Sequence, residues 1–220
     1  MDPLEFWTIC NANGILLSRE QVESFERFHD ELVYWNEKVN LISRKDVDNI
    51  WERHFLHSLS IVKEDCIPQK AQCLDVGCGG GFPGIPVGIA RPDINITLVD
   101  SIAKKIKLAA MFADHTGQRN FSAQTLRMEE LIKGKNQSKR YDVIMARAVA
   151  PISSLIGWTK PLLKSNGKYV LLKGGDLTEE IKEACASFPD LMVEEKQIHW
   201  KGIDWFSQEQ KKLLICTFNQ

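Results

Sequence analysis

Three groups of residues in this 220-residue chain have the types and spacing to do chemistry. The first is the run Leu74-Asp75-Val76-Gly77-Cys78-Gly79-Gly80-Gly81-Phe82-Pro83-Gly84, where a short apolar strand meets a glycine turn and then a helix start. Glycine lets a ligand lie against bare backbone, because no Cβ stands in the way. The second is Asp100, which closes the next apolar strand and is placed to accept hydrogen bonds from ribose hydroxyls. The third is Arg147, after the apolar run Val143-Ile144-Met145-Ala146. Its guanidinium can grip a carboxylate, a phosphate or the O6/N7 edge of a guanine. An ion pair with Glu129 is the plainer alternative, but the strand end that carries Arg147 is aimed at the ligand crevice. The first two groups together describe a nucleoside-cofactor site.

Two cofactors compete for it. The spacing Gly79-x-Gly81-x-x-Gly84 fits a dinucleotide fingerprint, which in isolation is a weak signal. A pyrophosphate needs free N–H groups at the helix N-terminus, and Pro83 and Pro86 remove two of them. Asp75 would also repel a diphosphate. It suits a ligand with an ammonium and a sulfonium, and S-adenosylmethionine has both, with a ribose for Asp100 and no phosphate. The loop chemistry therefore favours S-adenosylmethionine over a nicotinamide dinucleotide, so a methyltransferase over an oxidoreductase.

The six cysteines (10, 66, 73, 78, 185 and 216) form no C-x-x-C pair and no Cys/His cluster, so no zinc site is expected. They read as reduced thiols of a cytoplasmic protein, with Cys78 filling a small gap beside the cofactor rather than acting as a nucleophile. No run is long enough to span a membrane, and the acidic start Met1-Asp2-Pro3-Leu4-Glu5 lacks the features of a signal peptide. The net charge of −1 conceals a strong partition. Residues 1–70 hold 8 basic and 13 acidic side chains, residues 71–175 hold 15 and 7, and residues 176–220 hold 5 and 9. The basic middle carries Lys104, Lys105, Lys107, Arg119, Arg127, Lys133, Lys135, Lys139 and Arg140. Such a face suits a polyanion; a solvated helix surface balanced by the acidic flanks is the equal alternative.

The elements that must position these residues follow from periodicity. The first seventy residues read as a helical extension. One helix runs from Pro3 towards Gly14, and a second opens on a capping box at Ser18 and carries Val22, Phe25, Phe28, Leu32, Trp35 and Val39 on one face. A third is capped by Asp46 and carries Val47, Ile50, Trp51, Phe55, Leu59 and Val62. Trp35 and Trp51 read as packing residues rather than base-stacking ones. From residue 71 to 220 strands and helices alternate. Strands are expected at 72–76, 94–99, 120–125, 141–146 and 168–173, with helices at 84–91, 102–116 (capped by Ser101), 128–133 and 152–163. A helix at 177–187 and a final hairpin of 191–200 with 212–218 complete an α/β, doubly wound, mostly parallel sheet of seven strands with an antiparallel edge. Ligands of such sheets lie at the C-terminal strand ends, which gathers Gly77, Asp100, Met128-Glu129 and Arg147.

Methylases that take a proton from an exocyclic amine carry an Asn/Asp-Pro-Pro-aromatic turn after the fourth strand. Here that stretch is Asp142-Val143-Ile144-Met145-Ala146-Arg147-Ala148-Val149-Ala150-Pro151, without the turn. Pyrimidine C5 methylation uses a Pro-Cys nucleophile, and no Pro-Cys occurs. Guanine N7 needs neither, because its lone pair is free and orientation alone supplies catalysis. An oxygen or an ordinary amine stays open as acceptor.

The chain resembles the small-subunit ribosomal RNA methyltransferase G family, also called glucose-inhibited division protein B. The resemblance runs over most of the chain. It rests on Trp35-Asn36, Asn40-Leu41, Arg53-His54 with Ser58, the block Asp75 to Pro86, Arg91-Pro92, Leu98-Val99-Asp100-Ser101, Arg127-Met128-Glu129-Glu130, Ala146-Arg147-Ala148 and Leu172-Lys173-Gly174. It implies a Rossmann-like class I methyltransferase fold and S-adenosylmethionine-dependent methylation of guanine N7 in the decoding-region loop of small-subunit (16S) ribosomal RNA. By the same resemblance Gly77, Gly79, Gly81 and Phe82 line the cofactor, Asp100 holds its ribose and Met128-Glu129 frame its adenine. Arg147 then lies by the methionine end and the incoming base. The partner is the small-subunit RNA or the 30S particle, and nothing demands more than a monomer. A non-catalytic RNA-binding protein of the same fold is a further alternative. The chain departs from the family at His57, where many relatives carry an acidic residue, and in its acidic N-terminal helices; His54 reads equally as an RNA-positioning or a packing residue.

Overall fold

The computed structural model describes residues 1–127 and 139–219; Met128, Glu129 and the helix expected at 128–133 lie outside them. Seven strands form one sheet in the order β3-β2-β1-β4-β5-β7-β6. They are β1 (Gln72–Val76), β2 (Asn95–Asp100), β3 (Phe121–Thr125), β4 (Tyr141–Arg147), β5 (Leu163–Gly174), β6 (Leu191–Gln197) and β7 (Lys211–Phe218). The first five are parallel, and β7 runs antiparallel between β5 and β6. The strand order reverses between β1 and β4, the switch point at which open parallel sheets bind ligands.

Two apolar layers cover the sheet, and strand alternation assigns each side chain to one of them. On β4, Val143 and Met145 join the layer built with α4 (Gly84–Ala90), α5 (Ala103–His115) and the N-terminal helices. Ile144 and Ala146 join the other, built with α6 (Ile152–Thr159) and α7 (Thr178–Ser187). The first layer holds an aromatic cluster in which Phe28 packs on Phe55, Phe82 and Phe112 with ring centroids 5.3 to 5.5 Å apart.

The N-terminal residues follow their caps. Asp2 accepts from the Glu5 N–H at 2.8 Å to open α1 (Pro3–Ala12), and Gly14, at φ +83°, lies just past its end. Ser18 and Gln21 form the capping box of α2 (Arg19–Asn36). The third helix differs from expectation. Ser43 caps a 3-10 turn at Arg44–Asn49, a π-helical stretch follows at Trp51–Leu56, and only then does α3 (His57–Lys63) begin. Asp46 caps nothing, because its carboxylate is drawn to Arg53 Nη1 at 2.8 Å. The π-helical stretch sets the His54 ring against Phe82 of the glycine loop, 5.0 Å between centroids, in keeping with the frequent placement of π-turns at functional sites.

Two further boundaries moved for local reasons. Pro161 has no N–H with which to continue the helix; α6 ends at Thr159, a 3-10 turn follows at Lys160–Leu162, and β5 already starts at Leu163. At the start of α5, Asp100 rather than Ser101 accepts the free Ile102 N–H, at 2.9 Å. The connection from β6 to β7 also holds an unexpected short helix, α8 (Trp205–Gln208).

Candidate active site

The C-terminal ends of β1, β2 and β4 surround a cavity of about 330 Å³ lined by Gly77, Asp100, Ser101, Leu126, Arg147, Ala148, Val149 and Trp158. Gly77 adopts φ +66°, and a Cβ there would stand 2.6 Å from Val149 Cγ2, so only glycine fits the turn. Val149 is brought over it by Ala148, which takes the left-handed φ of +52° as the chain leaves β4. Lys173 pins this return by donating to the Ala150 carbonyl at 2.7 Å while pairing with Glu180.

Asp100 organises the rim. Its Oδ2 accepts the Gly79 N–H and its Oδ1 the Ile102 N–H, each at 2.9 Å. A carboxylate oxygen has a second lone-pair direction, so both oxygens can still accept from a diol in the cavity. Leu126 and Trp158 supply apolar walls, and Arg147 supplies a cation at the other end. Burial pulls the Arg147 guanidinium down to about 10, which leaves it charged at neutral pH.

Beneath the turn the chemistry is different. Asp75 is fully buried; its Oδ2 accepts the Gly84 N–H at 2.7 Å and its Oδ1 has no partner. Burial raises this carboxyl to about 7, against the opposing pull of the Gly84 N–H and of Arg147. The expectation that Asp75 meets the cofactor's charges is therefore corrected: the side chain points into the layer under α4. Its bond consumes the Gly84 N–H, and Pro83 and Pro86 have none, so this helix start is a poor phosphate cradle. A nicotinamide dinucleotide does not fit these donors. A ligand with a ribose, an adenine and an amino-acid end does fit the cavity's Asp100, apolar walls and Arg147.

Phe82, only 2% exposed, forms the floor under Arg147, whose guanidinium carbon lies 4.7 Å from the ring centroid. His54 packs on the same ring at 5.0 Å. Both nitrogens of His54 and Nε2 of His57 are buried without a hydrogen-bond partner. Burial first, and the Arg147 charge second, push His54 down to about 2 and His57 well below the usual imidazole range. Both rings are neutral, and a cationic neighbour keeps them so.

Residues 21–210 match the family described as rRNA small subunit methyltransferase G. The chain belongs to that family. It is 40% identical over 174 residues to the ribosomal RNA small subunit methyltransferase G of Christiangramia forsetii, covering 76% of this chain and 79% of the relative. With the protein of that name from Desulforamulus reducens it shares 37% over 204 residues, covering 93% and 85%. Among solved structures it is similar to a putative O-methyltransferase from Klebsiella pneumoniae (TM-score 0.61, 12% identity, 88% of this chain and 90% of that one). A TehB-like SAM-dependent methyltransferase from Corynebacterium glutamicum is also similar (TM-score 0.57, 13% identity, 86% and 98%). These likenesses carry the fold, a class I S-adenosylmethionine-dependent methyltransferase sheet.

In this methyltransferase G chain the crevice brings together Gly77, Asp100 and Arg147, while the Gly79 N–H meets Asp100 from below. Gly81 faces Ile85 and Phe28, and Phe82 lies in the core, so both stand behind the cavity rather than on its lining. Met128 and Glu129 lie outside the described residues, and with them the alternative Glu129 pairing of Arg147. Leu126, Val149 and Trp158 escaped the sequence reading, since apolar residues near a strand end carry no signal that separates a cavity wall from core. Cys78 is buried, and burial raises its thiol far above the usual range, which suits a filler and disarms a nucleophile. Among the described residues no group of His, Cys, Asp or Glu is arranged to hold a metal, and no helix is long and apolar enough to cross a membrane.

Proposed function

We propose that this protein transfers a methyl group from S-adenosylmethionine to N7 of a guanine in small-subunit ribosomal RNA. S-adenosylmethionine, when bound, supplies an electrophilic methyl on a sulfonium. Asp100 receives the ribose hydroxyls, Gly77 lets the ligand pass close to backbone, and Leu126 and Trp158 flank the adenine. Gly79 and Gly81 shape the turn, and Phe82 supports Arg147 from behind. Met128 and Glu129 are assigned to the adenine by family resemblance.

The carrying observation is Arg147, a charged guanidinium fixed over Phe82 at the C-terminal end of β4. There it can hold the cofactor's carboxylate or the O6 edge of the incoming guanine. Among the described residues that line the cavity, Asp100 is the one carboxylate, and both its oxygens hold the loop. His54 and His57 are sealed and neutral. An acceptor atom that needs no proton removed suits this set, and N7 is such an atom; alignment of acceptor, methyl and sulfur then supplies the catalysis.

The test is transfer of labelled methyl to unmethylated small-subunit RNA, followed by strand scission at 7-methylguanine and mapping of the cut. One labelled guanine is expected. Label on another atom would correct the acceptor. No label on free RNA or on 30S particles, with S-adenosylhomocysteine still bound, would overturn the enzyme assignment.

A further inference from the structure

The N-terminal helices and the β6–β7 connection meet beside Arg147 and build a surface that the cofactor does not explain. Trp205, at the start of α8, is half-buried. The Arg53 guanidinium carbon lies 5.5 Å from its ring centroid, and Lys211 Nζ lies 5.1 Å from it. His57 supports the ring from behind, edge-on at 6.1 Å. The segment that carries Arg53 also carries His54, which packs on the same Phe82 ring as Arg147, so this wall adjoins the Arg147 end of the crevice. Topology agrees: Lys211 is paired with Gly174 at the C-terminal end of β5, the edge of the sheet on which the crevice opens.

Charge sets the partner. Arg53 gives one of its terminal nitrogens to Asp46, and its Nε is buried without a partner. Among the described residues no carboxylate pairs with Lys211. A half-buried indole with two basic side chains near its ring, Lys211 having no carboxylate partner among the described residues, favours a flat, polarisable group carried on an anionic backbone. That describes an unstacked nucleotide: its base lies on the ring and its phosphate reaches the cations.

Given that the substrate is RNA, we propose that Trp205, with Arg53 and Lys211, is the platform for an unpaired nucleotide flanking the methylated guanine. It holds the strand so that the target base enters beside Arg147. The platform acts in RNA binding, and methyl-donor binding is independent of it.

The experiment compares Trp205→Ala, Trp205→Phe and Lys211→Gln in methyl transfer to unmethylated small-subunit RNA, with S-adenosylhomocysteine affinity and Tm measured in parallel. Trp205→Ala is expected to raise the RNA KM roughly 10-fold, the scale of one lost base stack, with cofactor affinity unchanged. Trp205→Phe keeps an aromatic face and should restore most of that loss. Lys211→Gln should weaken RNA binding and lower the slope of log affinity against log salt by about 0.7, as for one lost phosphate contact on a single strand. An unchanged RNA KM in a folded Trp205→Ala protein overturns the proposal, as does a KM defect that phenylalanine leaves in place. Should Trp205→Ala fail to fold, Trp205→Phe and Lys211→Gln decide: wild-type salt slope in the lysine variant overturns it. Failure of the wild-type protein to methylate any RNA is a separate result, which removes the RNA substrate itself.

Discussion

The outer and inner faces of the Val76–Gly84 turn come from neighbouring residues of one short sequence, and they do opposite things. Outside, Gly77 and Asp100 border an open cavity, and Asp100 keeps acceptor directions free. Inside, Asp75 under α4 and Phe82 under the N-terminal helices are sealed, and burial raises the Asp75 carboxyl to about 7 despite the opposing pull of the Gly84 N–H and Arg147. Two carboxylates on adjacent parallel strands thus bind the same loop, one through the Gly79 N–H and one through the Gly84 N–H. The difference is solvent, and it assigns the outer residues to ligand chemistry and the inner ones to holding the turn in shape. Arg147 spans both, with its head at the cavity and its plane over Phe82.

Substitutions can break this division, and the largest effect is expected on the inner face. Phe82→Ala removes a ring that touches Phe28, Phe55, His54 and Arg147. Its cost in stability should be about 3–5 kcal/mol, seen as a lowered midpoint in urea. A loss below about 1 kcal/mol would place the ring in the cavity instead. Arg147→Ala should do the reverse, with methyl transfer falling roughly 100-fold, the scale of a misplaced reacting group, while the urea midpoint moves little. An unfolded Arg147→Ala protein would make the guanidinium a structural member of the inner face.

What the sequence made legible follows the same boundary. Gly77, Asp100 and Arg147 were found because glycine turns and polar residues at apolar strand ends are short-range signals. Asp75 has the chemistry of a ligand contact, but period-two alternation with Cys73 puts it on the face covered by α4, and the pleat decides. The seven strands and their antiparallel ending were readable from alternation. The π-turn at Trp51–Leu56 was not, since a π-turn and an α-turn share the same apolar spacing over so short a stretch, and the Asp46–Arg53 pair forms only in the folded chain. The Trp205 wall was invisible because Arg53, Trp205 and Lys211 meet only through the tertiary packing of the chain's two ends.

On the outer face a smaller effect is expected from Asp100. Asp100→Ala should weaken S-adenosylhomocysteine binding by about 1–3 kcal/mol, the scale for hydrogen bonds to a charged group. Part of that cost comes from freeing the Gly79 and Ile102 N–H groups. Asp100→Asn keeps an acceptor for one of them and should lose less. Equal calorimetric affinity in the wild type and the alanine variant would move the ribose off this carboxylate.

The finest comparison sets Asp75 against the buried histidines, because their protonation pulls stability in opposite directions. Asp75 is raised to about 7 in the folded protein, whereas the unfolded chain releases this proton near 4. Between those values the folded state holds one more proton, so the Asp75 contribution is full below pH 4 and is lost as pH rises towards 7. The slope reaches at most about 1.4 kcal/mol per pH unit. His54 and His57 are depressed, so the unfolded chain takes up their protons below about 6.5 and the folded one does not. Their contribution is present above that pH and falls as the solution is acidified. Asp75→Asn mimics the protonated carboxyl and should retain the Gly84 hydrogen bond. The stability of the variant relative to wild type should therefore rise from pH 4 to pH 7 and level off above it, with both histidine contributions cancelling in the difference. Urea titrations at several pH values give that difference directly. Parallel curves for the two proteins would mean that Asp75 is ionised throughout, and the contrast between the two faces of the turn would lose its physical cause.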